Sequence, residues 1–203
     1  MSAFEKSKFI WINDTNIDTY GEFYAKFGAN SSPICRISCD GDYTLFINGK
    51  YVASNQYGDF EHYKIYDEID LSDYIVGGEN HLSILVHHFG KDSQRYKKYS
   101  AGVIFEVREG SSILLASDEW VLSRKSKSYI SGIGREITGQ LGFSYTYDAK
   151  NEDMWQFGQG ADLKRSVTVS KNCVFYKRPI KKLVLGEYID GKIITNENNT
   201  HFV

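Results

Sequence analysis

The sequence has little proline, no long hydrophobic run and no excess of either charge. Only two of its 203 residues are proline, and 24 basic residues nearly balance 26 acidic ones. A balanced chain has no global field to attract nucleic acid or an anionic membrane surface. No stretch approaches the ~18 apolar residues that a membrane-spanning helix needs. We therefore expect neither a nucleic-acid nor a membrane partner.

Cysteine is also scarce, with Cys35, Cys39 and Cys173 forming an odd set without the spacing of a disulfide framework. Cys35, Ile37 and Cys39 alternate along one face of a predicted strand, and a free cysteine packs like a small hydrophobe. We expect reduced thiols that fill the core, and no metal site. The first residues lack the apolar segment of a secretory signal, which predicts a cytoplasmic location.

Aromatic residues are abundant, with 15 tyrosines, 12 phenylalanines and 3 tryptophans, and glycine supplies 18 further residues. This composition favours strands joined by turns over helices. Strand-like runs recur roughly every 8–12 residues between turn signals, which is typical of an all-β sandwich or jelly roll. The predicted strands are 9–12, 22–27, 34–38, 62–66, 81–89, 103–107, 112–116, 120–123 and 167–176, with a short turn or one-turn helix at 70–75.

The clearest local signal is the Asn48-Gly49 pair between two apolar, strand-forming runs. A two-residue type I′ turn needs positive φ at both central positions, which asparagine and glycine tolerate. Before the turn, Tyr43, Leu45 and Ile47 share one face of the strand, and Phe46 lies on the other. Apolar residues on both faces predict a strand that is covered on both sides.

Residues 126–162 have a weaker pattern, with five glycines between 132 and 158 and scattered aromatic residues. We expect an irregular segment that is inserted into the sandwich or packed against it. Glycosidases use two carboxylates about 5–9 Å apart. Glu136, Asp148, Glu152 and Asp153 lie in this segment, but nothing in the sequence selects a pair among them.

The loop after the 81–89 strand is polar, aromatic and long enough to shape a binding site. His87 and His88 precede it and point to opposite faces, so they cannot chelate one metal together; each could equally be a hydrogen-bonded core residue. Aromatic rings beside polar residues can stack on the apolar face of a sugar. The candidate carbohydrate-binding residues are Tyr57, Tyr63, His87, His88, Asp92, Arg95, Tyr96 and Trp155.

Asp14, Asn16 and Asp18 begin like a calcium-binding loop, but Thr19 and Ala25 stand where an EF-hand needs glycine and glutamate. A solvated turn is the more ordinary interpretation, and a looser structural calcium site is the alternative. We expect no cofactor and no catalytic metal. The familiar phosphate-loop, nucleophile-elbow and Cys-x-x-Cys motifs are absent from the sequence.

Three segments together resemble a known family. Residues 37–50 end in Tyr-Thr-Leu-Phe-Ile-Asn-Gly-Lys, residues 63–71 read Tyr-Lys-Ile-Tyr-Asp-Glu-Ile-Asp-Leu, and residues 77–86 read Gly-Gly-Glu-Asn-His-Leu-Ser-Ile-Leu-Val. This pattern is similar to the N-terminal region of bacterial α-L-rhamnosidases of glycoside hydrolase family 78. Asp118-Glu119-Trp120 and Arg178-Pro179-Ile180 extend the resemblance over most of the chain.

The resemblance implies a galactose-binding-like jelly roll at 1–177, with an exit segment or the start of a following domain at 178–203. In this family, inverting hydrolysis is performed by acidic residues on an (α/α)₆ toroid. Twelve helices of about 11–12 residues each need a long helical region, which this sequence lacks. No acidic residue here therefore inherits the catalytic role, and the downstream toroid is expected as a partner in the same polypeptide.

The sequence thus predicts a non-catalytic accessory fragment of a rhamnosidase-like glycoside hydrolase, which binds rhamnosides or related sugars or braces the catalytic domain. Two alternatives belong to other classes. The chain could be a self-sufficient glycosidase with carboxylates in 132–162, or a purely structural or adhesive sandwich.

Overall fold

Nearly all regular structure is β-strand. The computed structural model describes residues 3–14, 16–183 and 186, and the backbone of 193–196 and 199–202. Two single 3₁₀ turns occur at Ala149–Asn151 and Trp155–Phe157. The strands are β1 (Phe9–Trp11), β2 (Thr19–Ala29), β3 (Ile34–Cys39), β4 (Asp42–Ile47), β5 (Lys50–Ser54), β6 (Tyr63–Asp70), β7 (Gly78–His88), β8 (Val103–Glu109), β9 (Ser112–Ala116), β10 (Leu122–Lys125), β11 (Glu136–Thr138), β12 (Gly142–Phe143), β13 (Lys164–Arg165), β14 (Val167–Val169), β15 (Val174–Lys177), β16 (Ile193–Asn196) and β17 (Asn199–Phe202).

Two sheets form the sandwich. The six-stranded sheet has the order β13-β10-β2-β7-β4-β5, and the seven-stranded sheet has the order β14-β1-β8-β3-β6-β15, with β9 also paired to β8. Most neighbours are antiparallel, and β15 joins the edge of β6 in parallel. The expected all-β jelly-roll sandwich is confirmed. Among the described residues, no helix has the length and apolarity to cross a bilayer.

The core lies between the inner faces of the two sheets. On β7 every second residue points inward, and Leu82, Ile84 and Val86 are fully buried. Tyr43, Leu45 and Ile47 on β4 and Cys35, Ile37 and Cys39 on β3 belong to the same cluster. The two strand-face predictions are therefore confirmed, and the three cysteines are free thiols.

The Asn48-Gly49 turn also has the predicted geometry. Asn48 has a φ of 52° and Gly49 a φ of 74°, and Ile47 pairs with Lys50 across the two-residue loop. The Asn48 side chain donates to the Tyr74 carbonyl and to Asn80 Oδ1, at 3.0 and 2.8 Å. The turn is therefore fixed by side-chain bonds as well as by its backbone.

The irregular segment at 126–162 packs against the outer face of the six-stranded sheet. Tyr129 stacks on Tyr20, with ring centroids 5.1 Å apart, and Trp155 lies edge-on to Phe46 at 6.4 Å. Ser126 Oγ donates to Glu22 Oε1 at 2.6 Å. This segment therefore gives the six-stranded sheet its second covered face, as the apolar pattern of β4 predicts.

Two strand predictions were wrong in their bounds. The strand expected at 120–123 is Leu122–Lys125, because the Asp118 side chain accepts from Trp120 N at 2.8 Å and holds residues 118–121 in a turn. The run expected at 167–176 divides into β14 and β15, which pair with β1 and β6. Ser170, Lys171 and Asn172 interrupt the apolar pattern at the point of division.

Candidate functional site

The most chemically varied part of the chain is one end of the sandwich, where the loops after β1, β3, β5 and β7 meet. We call this region the loop end. It contains two histidine–aspartate pairs, His87 with Asp18 and His88 with Asp40. Because the two histidines are adjacent on β7, one faces outward and the other faces the core.

His87 lies on the outer face of the six-stranded sheet. Its Nε2 is 2.9 Å from Asp18 Oδ1, and its ring stacks on Tyr20 at a centroid distance of 4.0 Å. Burial lowers the pKa of His87 below its ordinary value, and the hydrogen bond to Asp18 offsets only part of that shift. His87 is thus a packed, hydrogen-bonded residue on the covered outer face.

This arrangement predicts a pH dependence of stability. The folded pKa of His87 is lower than the unfolded value of about 6.5, so the unfolded chain binds more protons just below that pH. Stability from this residue is therefore fully present above pH ~6.5 and is lost as the pH falls. We expect His87→Gln to flatten the fall in melting temperature between about pH 7 and pH 5. His62→Gln, at an exposed histidine, is the control, and equal slopes in wild type and His87→Gln would contradict the assignment.

His88 faces inward at the end of the core. Its Nδ1 lies 2.7 Å from Asp40 Oδ2, and the Tyr96 hydroxyl donates to the same oxygen at 2.7 Å. Asp40 is 1% exposed, and its second oxygen, Oδ1, has no hydrogen-bond partner among the described residues. Burial and the nearby Asp40 carboxylate raise the pKa of Tyr96, which keeps its hydroxyl protonated as a donor.

Three of the predicted sugar-contacting residues, Tyr57, Arg95 and Tyr96, line one small cavity beside Asp40. Its volume is about 30 Å³, room for about two water molecules at 10–15 Å³ each and none for a sugar ring. Arg95 pairs with Asp42 at 2.8 Å, and the Arg178 guanidinium lies 5.5 Å from the Tyr57 ring centroid. These three residues thus lie together, beside a space too small for a sugar ring, and their contact with sugar stays a prediction.

A second cavity, of about 590 Å³, has His88 in its lining, and we call it the His88 pocket. Its volume falls within the usual range of ligand sites, about 300–1,000 Å³. The loops before β2, before β6 and after β7 contribute to its lining, together with β1 and β14. Its lining residues are Trp11, Ile12, Asn13, Asp14, Ile17, Glu61, His88, Gly90, Lys98, Tyr99, Ser100, Ala101, Val167 and Val169.

Sequence reasoning missed most of this lining. Tyr99 and Ser100 belong to the loop after β7, whose polar and aromatic composition was a usable signal. Trp11, Glu61 and Val167 come from three distant parts of the chain. Only the sheet topology brings them together.

The remaining predicted residues lie elsewhere. Tyr63 is exposed and stacks on Tyr176 at 4.2 Å, and Asp92 is exposed and 3.7 Å from Lys97 Nζ. Trp155 is only 8% exposed and offers no open ring face. None of these three residues lines the small cavity beside Asp40 or the His88 pocket, and their contact with sugar stays a prediction.

A third cavity, of about 820 Å³, lies at the edge of the sandwich between β2, β9 and the turn after β9, and we call it the edge groove. Trp120 is 63% exposed there, and the Arg165 guanidinium covers its ring at 3.6 Å. His81 lines the groove too, and its Nδ1 is 2.8 Å from the Tyr24 hydroxyl. The groove is wide and largely apolar.

The possible calcium loop has a different role. Asp14 pairs with Lys125 at 2.9 Å, and Asp18 is buried, with Oδ2 accepting from Gly134 N at 2.8 Å. The solvated-turn interpretation was therefore wrong for Asp18, which joins the loop before β2 to the irregular segment. In the described residues, no three histidine, cysteine, aspartate or glutamate side chains are grouped to hold a metal ion.

A buried ion cluster holds Arg178 and Lys182, at the start of the expected exit segment, against the sandwich. Asp67 on β6 is 3% exposed and receives hydrogen bonds from Arg178, Lys182 and Tyr43. Burial alone would raise the pKa of Asp67, but these three hydrogen bonds outweigh it, so the pKa is lowered. Arg178 and Lys182 also donate to the Asn55 carbonyl, at 2.9 and 2.8 Å.

The two largely antiparallel sheets and their strand order define the class of the protein: a jelly-roll β-sandwich. Comparison of the sequence with family models gave no match. The sequence also matched no curated protein.

Solved structures, in contrast, include several that are similar to this chain in fold. This chain is similar to the family 78 rhamnosidase of Bacillus sp. GL1, with a TM-score of 0.79 and 21% identity over 89% of this chain and 20% of that one. For the α-L-rhamnosidase of Dictyoglumus thermophilum the TM-score is 0.63, with 16% identity over 85% and 22% of the two chains. For that of Aspergillus terreus it is 0.62, with 18% identity over 82% and 21%.

The chain therefore spans about a fifth of the length of the rhamnosidases that it matches. At these identities the likeness is one of fold. It confirms, at that level, the resemblance that the hairpin and its neighbouring strands indicate in the sequence.

Proposed function

We propose that this chain is a non-catalytic accessory β-sandwich of a glycoside hydrolase related to α-L-rhamnosidases. The observation that carries the proposal is the match of 89% of this chain to only 20% of the Bacillus enzyme. A whole enzyme of that length contains much more than one sandwich. The catalytic region is expected to be an (α/α)₆ toroid following this domain in the same polypeptide.

Bracing is the role that the Asp67 cluster favours. Arg178 and Lys182 lie four residues apart in the exit segment, and one buried carboxylate binds both. Two fixed points set the direction in which the chain leaves β15. A domain that follows would start from an oriented segment and not from a free linker. The proposed boundary at 177/178 therefore coincides with a rigid attachment.

Carbohydrate binding is the second candidate, and the His88 pocket is the observation that favours it. The pocket combines apolar walls with a few placed polar groups, which is the usual composition of a small-molecule site. A purely adhesive sandwich would not need such a concave site.

The self-sufficient glycosidase is supported less well than either of these roles, because of the environment of the carboxylates at 132–162. Asp153 binds the Arg124 guanidinium through both oxygens, and that hydrogen bonding lowers its pKa. Asp148 accepts from Lys150 N at 3.0 Å and caps a 3₁₀ turn. A general acid needs a raised pKa, so Asp153 has the opposite tuning.

A hydrolysis assay tests the accessory role. The purified 203-residue chain is expected to release no aryl alcohol from an aryl α-L-rhamnoside, whereas the longer protein encoded by the same reading frame is expected to do so. The proposal would be overturned if the short chain hydrolysed the substrate and if Asp153→Asn or Glu136→Gln abolished that activity. A stop codon directly after codon 203 would also overturn it, because no catalytic partner would then follow.

A further inference from the structure

The His88 pocket has a preset polar group at its wall. The carboxylate of Asp40 can only accept, so His88 donates to it from Nδ1, and in the neutral imidazole Nε2 is then an acceptor. Nε2 lies beside Gly90, since a Cβ built on Gly90 would be 2.9 Å from it, and Gly90 lines the pocket. No described residue is hydrogen-bonded to Nε2.

The imidazole is held in one orientation. Its ring lies edge-on to Trp11, with centroids 5.9 Å apart, and Asp40 is in turn held by the Tyr96 hydroxyl. His88 and Asp40 are 5% and 1% exposed. A ligand that meets Nε2 therefore meets an acceptor that is already placed, and little side-chain entropy is lost on binding.

The rest of the lining selects a neutral, hydroxyl-bearing ligand. Glu61 and Lys98 bring opposite charges, and the third charged lining residue, Asp14, is paired with Lys125, so neither sign of ligand is favoured. Asn13 and Ser100 offer uncharged hydrogen-bonding groups, while Ile17 and Val167 add apolar surface. Hydroxyl groups on one edge and an apolar C–H face on the other are the combination that a sugar ring presents.

We propose that the His88 pocket binds one neutral sugar ring, with His88 Nε2 accepting a hydrogen bond from a sugar hydroxyl. The site rests on the second candidate function, carbohydrate binding, and gives it a location. Asp40 and Tyr96 are positioning residues that act through the imidazole. The small cavity on the other side of Asp40 is not part of the site.

The test is an NMR titration of the ¹⁵N-labelled chain with L-rhamnose and with D-galactose. We expect one of them to shift the amides of Gly90, Tyr99 and Ser100, with a dissociation constant on the order of 1 mM. His88→Asn removes Nε2, yet its amide can still donate to Asp40. It is expected to weaken binding roughly fivefold to tenfold, as the loss of one hydrogen bond does.

His81→Asn is the matched control. His81 lies in the edge groove, so this variant is expected to bind the sugar with unchanged affinity. Val167→Trp fills the pocket from an exposed position and is expected to abolish binding; it keeps the test decisive if His88→Asn does not fold. Equal affinity in folded His88→Asn, or shifts centred on Trp120, would overturn the proposal.

An absence of shifts with either sugar would overturn the sugar site and the carbohydrate-binding candidate together. It would leave the bracing role and the accessory assignment untouched, since those depend on the hydrolysis assay and on the exit segment.

Discussion

Replacing Asp67 with asparagine is expected to lower the free energy of unfolding by about 3–5 kcal/mol, the usual cost of removing one partner from a buried ion pair. Asp67 is 3% exposed, and the side chains of Arg178 and Lys182 are 14% and 20% exposed, so the cations lose their counter-ion in a largely buried setting. A loss of 1 kcal/mol lowers the melting temperature of a domain this size by about 2–4 °C. Thermal and urea unfolding measure the change.

Asp73→Asn is the matched control, since it makes the same chemical change at an exposed aspartate in the turn after β6. It is expected to stay within about 0.5 kcal/mol of wild type. Equal unfolding free energies for the two variants would contradict the role given to Asp67.

The same variant reports on the exit segment directly. Lys181 and Lys182 are sites at which trypsin can cleave, and the bond between Lys182 and Asp67 holds this stretch against the sandwich. We expect Asp67→Asn to speed tryptic cleavage there under native conditions, while Asp73→Asn does not. An unchanged cleavage rate would remove the physical basis for a bracing role.

The features that could be predicted from sequence are those that depend on near neighbours. Strand alternation placed Cys35, Ile37 and Cys39 on one buried face, and turn chemistry placed positive φ values at Asn48 and Gly49. Each follows from the geometry of a few consecutive residues. The two-sheet architecture follows in turn from repeating such strands at short intervals.

The candidate site could be predicted only in part, because its residues are brought together across long separations. The bond between Asp40 and His88 spans 48 positions, and that between Asp67 and Arg178 spans 111. No local pattern encodes those partners. The sequence indicated the loop after β7 as a place for a site, but it did not show that Tyr57, Arg95 and Tyr96 line one cavity and His88 another.

The burial of Trp155 could not be predicted from its neighbours in the sequence. An aromatic residue among glycines and charges has the pattern of an exposed ring, yet Trp155 is buried because the irregular segment covers the outer sheet face. Burial here depends on where an irregular segment packs, and that is decided by the partner surface and not by the segment's own periodicity.

Gly49→Val is expected to destabilise the fold by about 2–5 kcal/mol, from two costs at one position. A β-branched residue is strained at a φ of +74°, and its Cβ would lie 2.6 Å from Phe157 Cζ. Gly49→Asn separates the two costs. Asparagine tolerates the positive φ, so this variant has only the steric cost of the contact with Phe157. A melting temperature equal to wild type for Gly49→Val would contradict the type I′ turn.

The double variant Gly49→Val with Phe157→Leu measures the coupling energy between residues 49 and 157. For residues in contact this energy is typically about 0.5–3 kcal/mol. The turn adjoins His81, whose carbonyl accepts from Asn48 N at 2.8 Å, and His88 lies seven positions further along β7. At about 3.3 Å per residue the turn and the His88 pocket lie roughly 20 Å apart. Any Gly49→Val protein that remains folded is therefore expected to keep the sugar affinity of wild type, so that the hairpin contributes to the scaffold and His88 to the site.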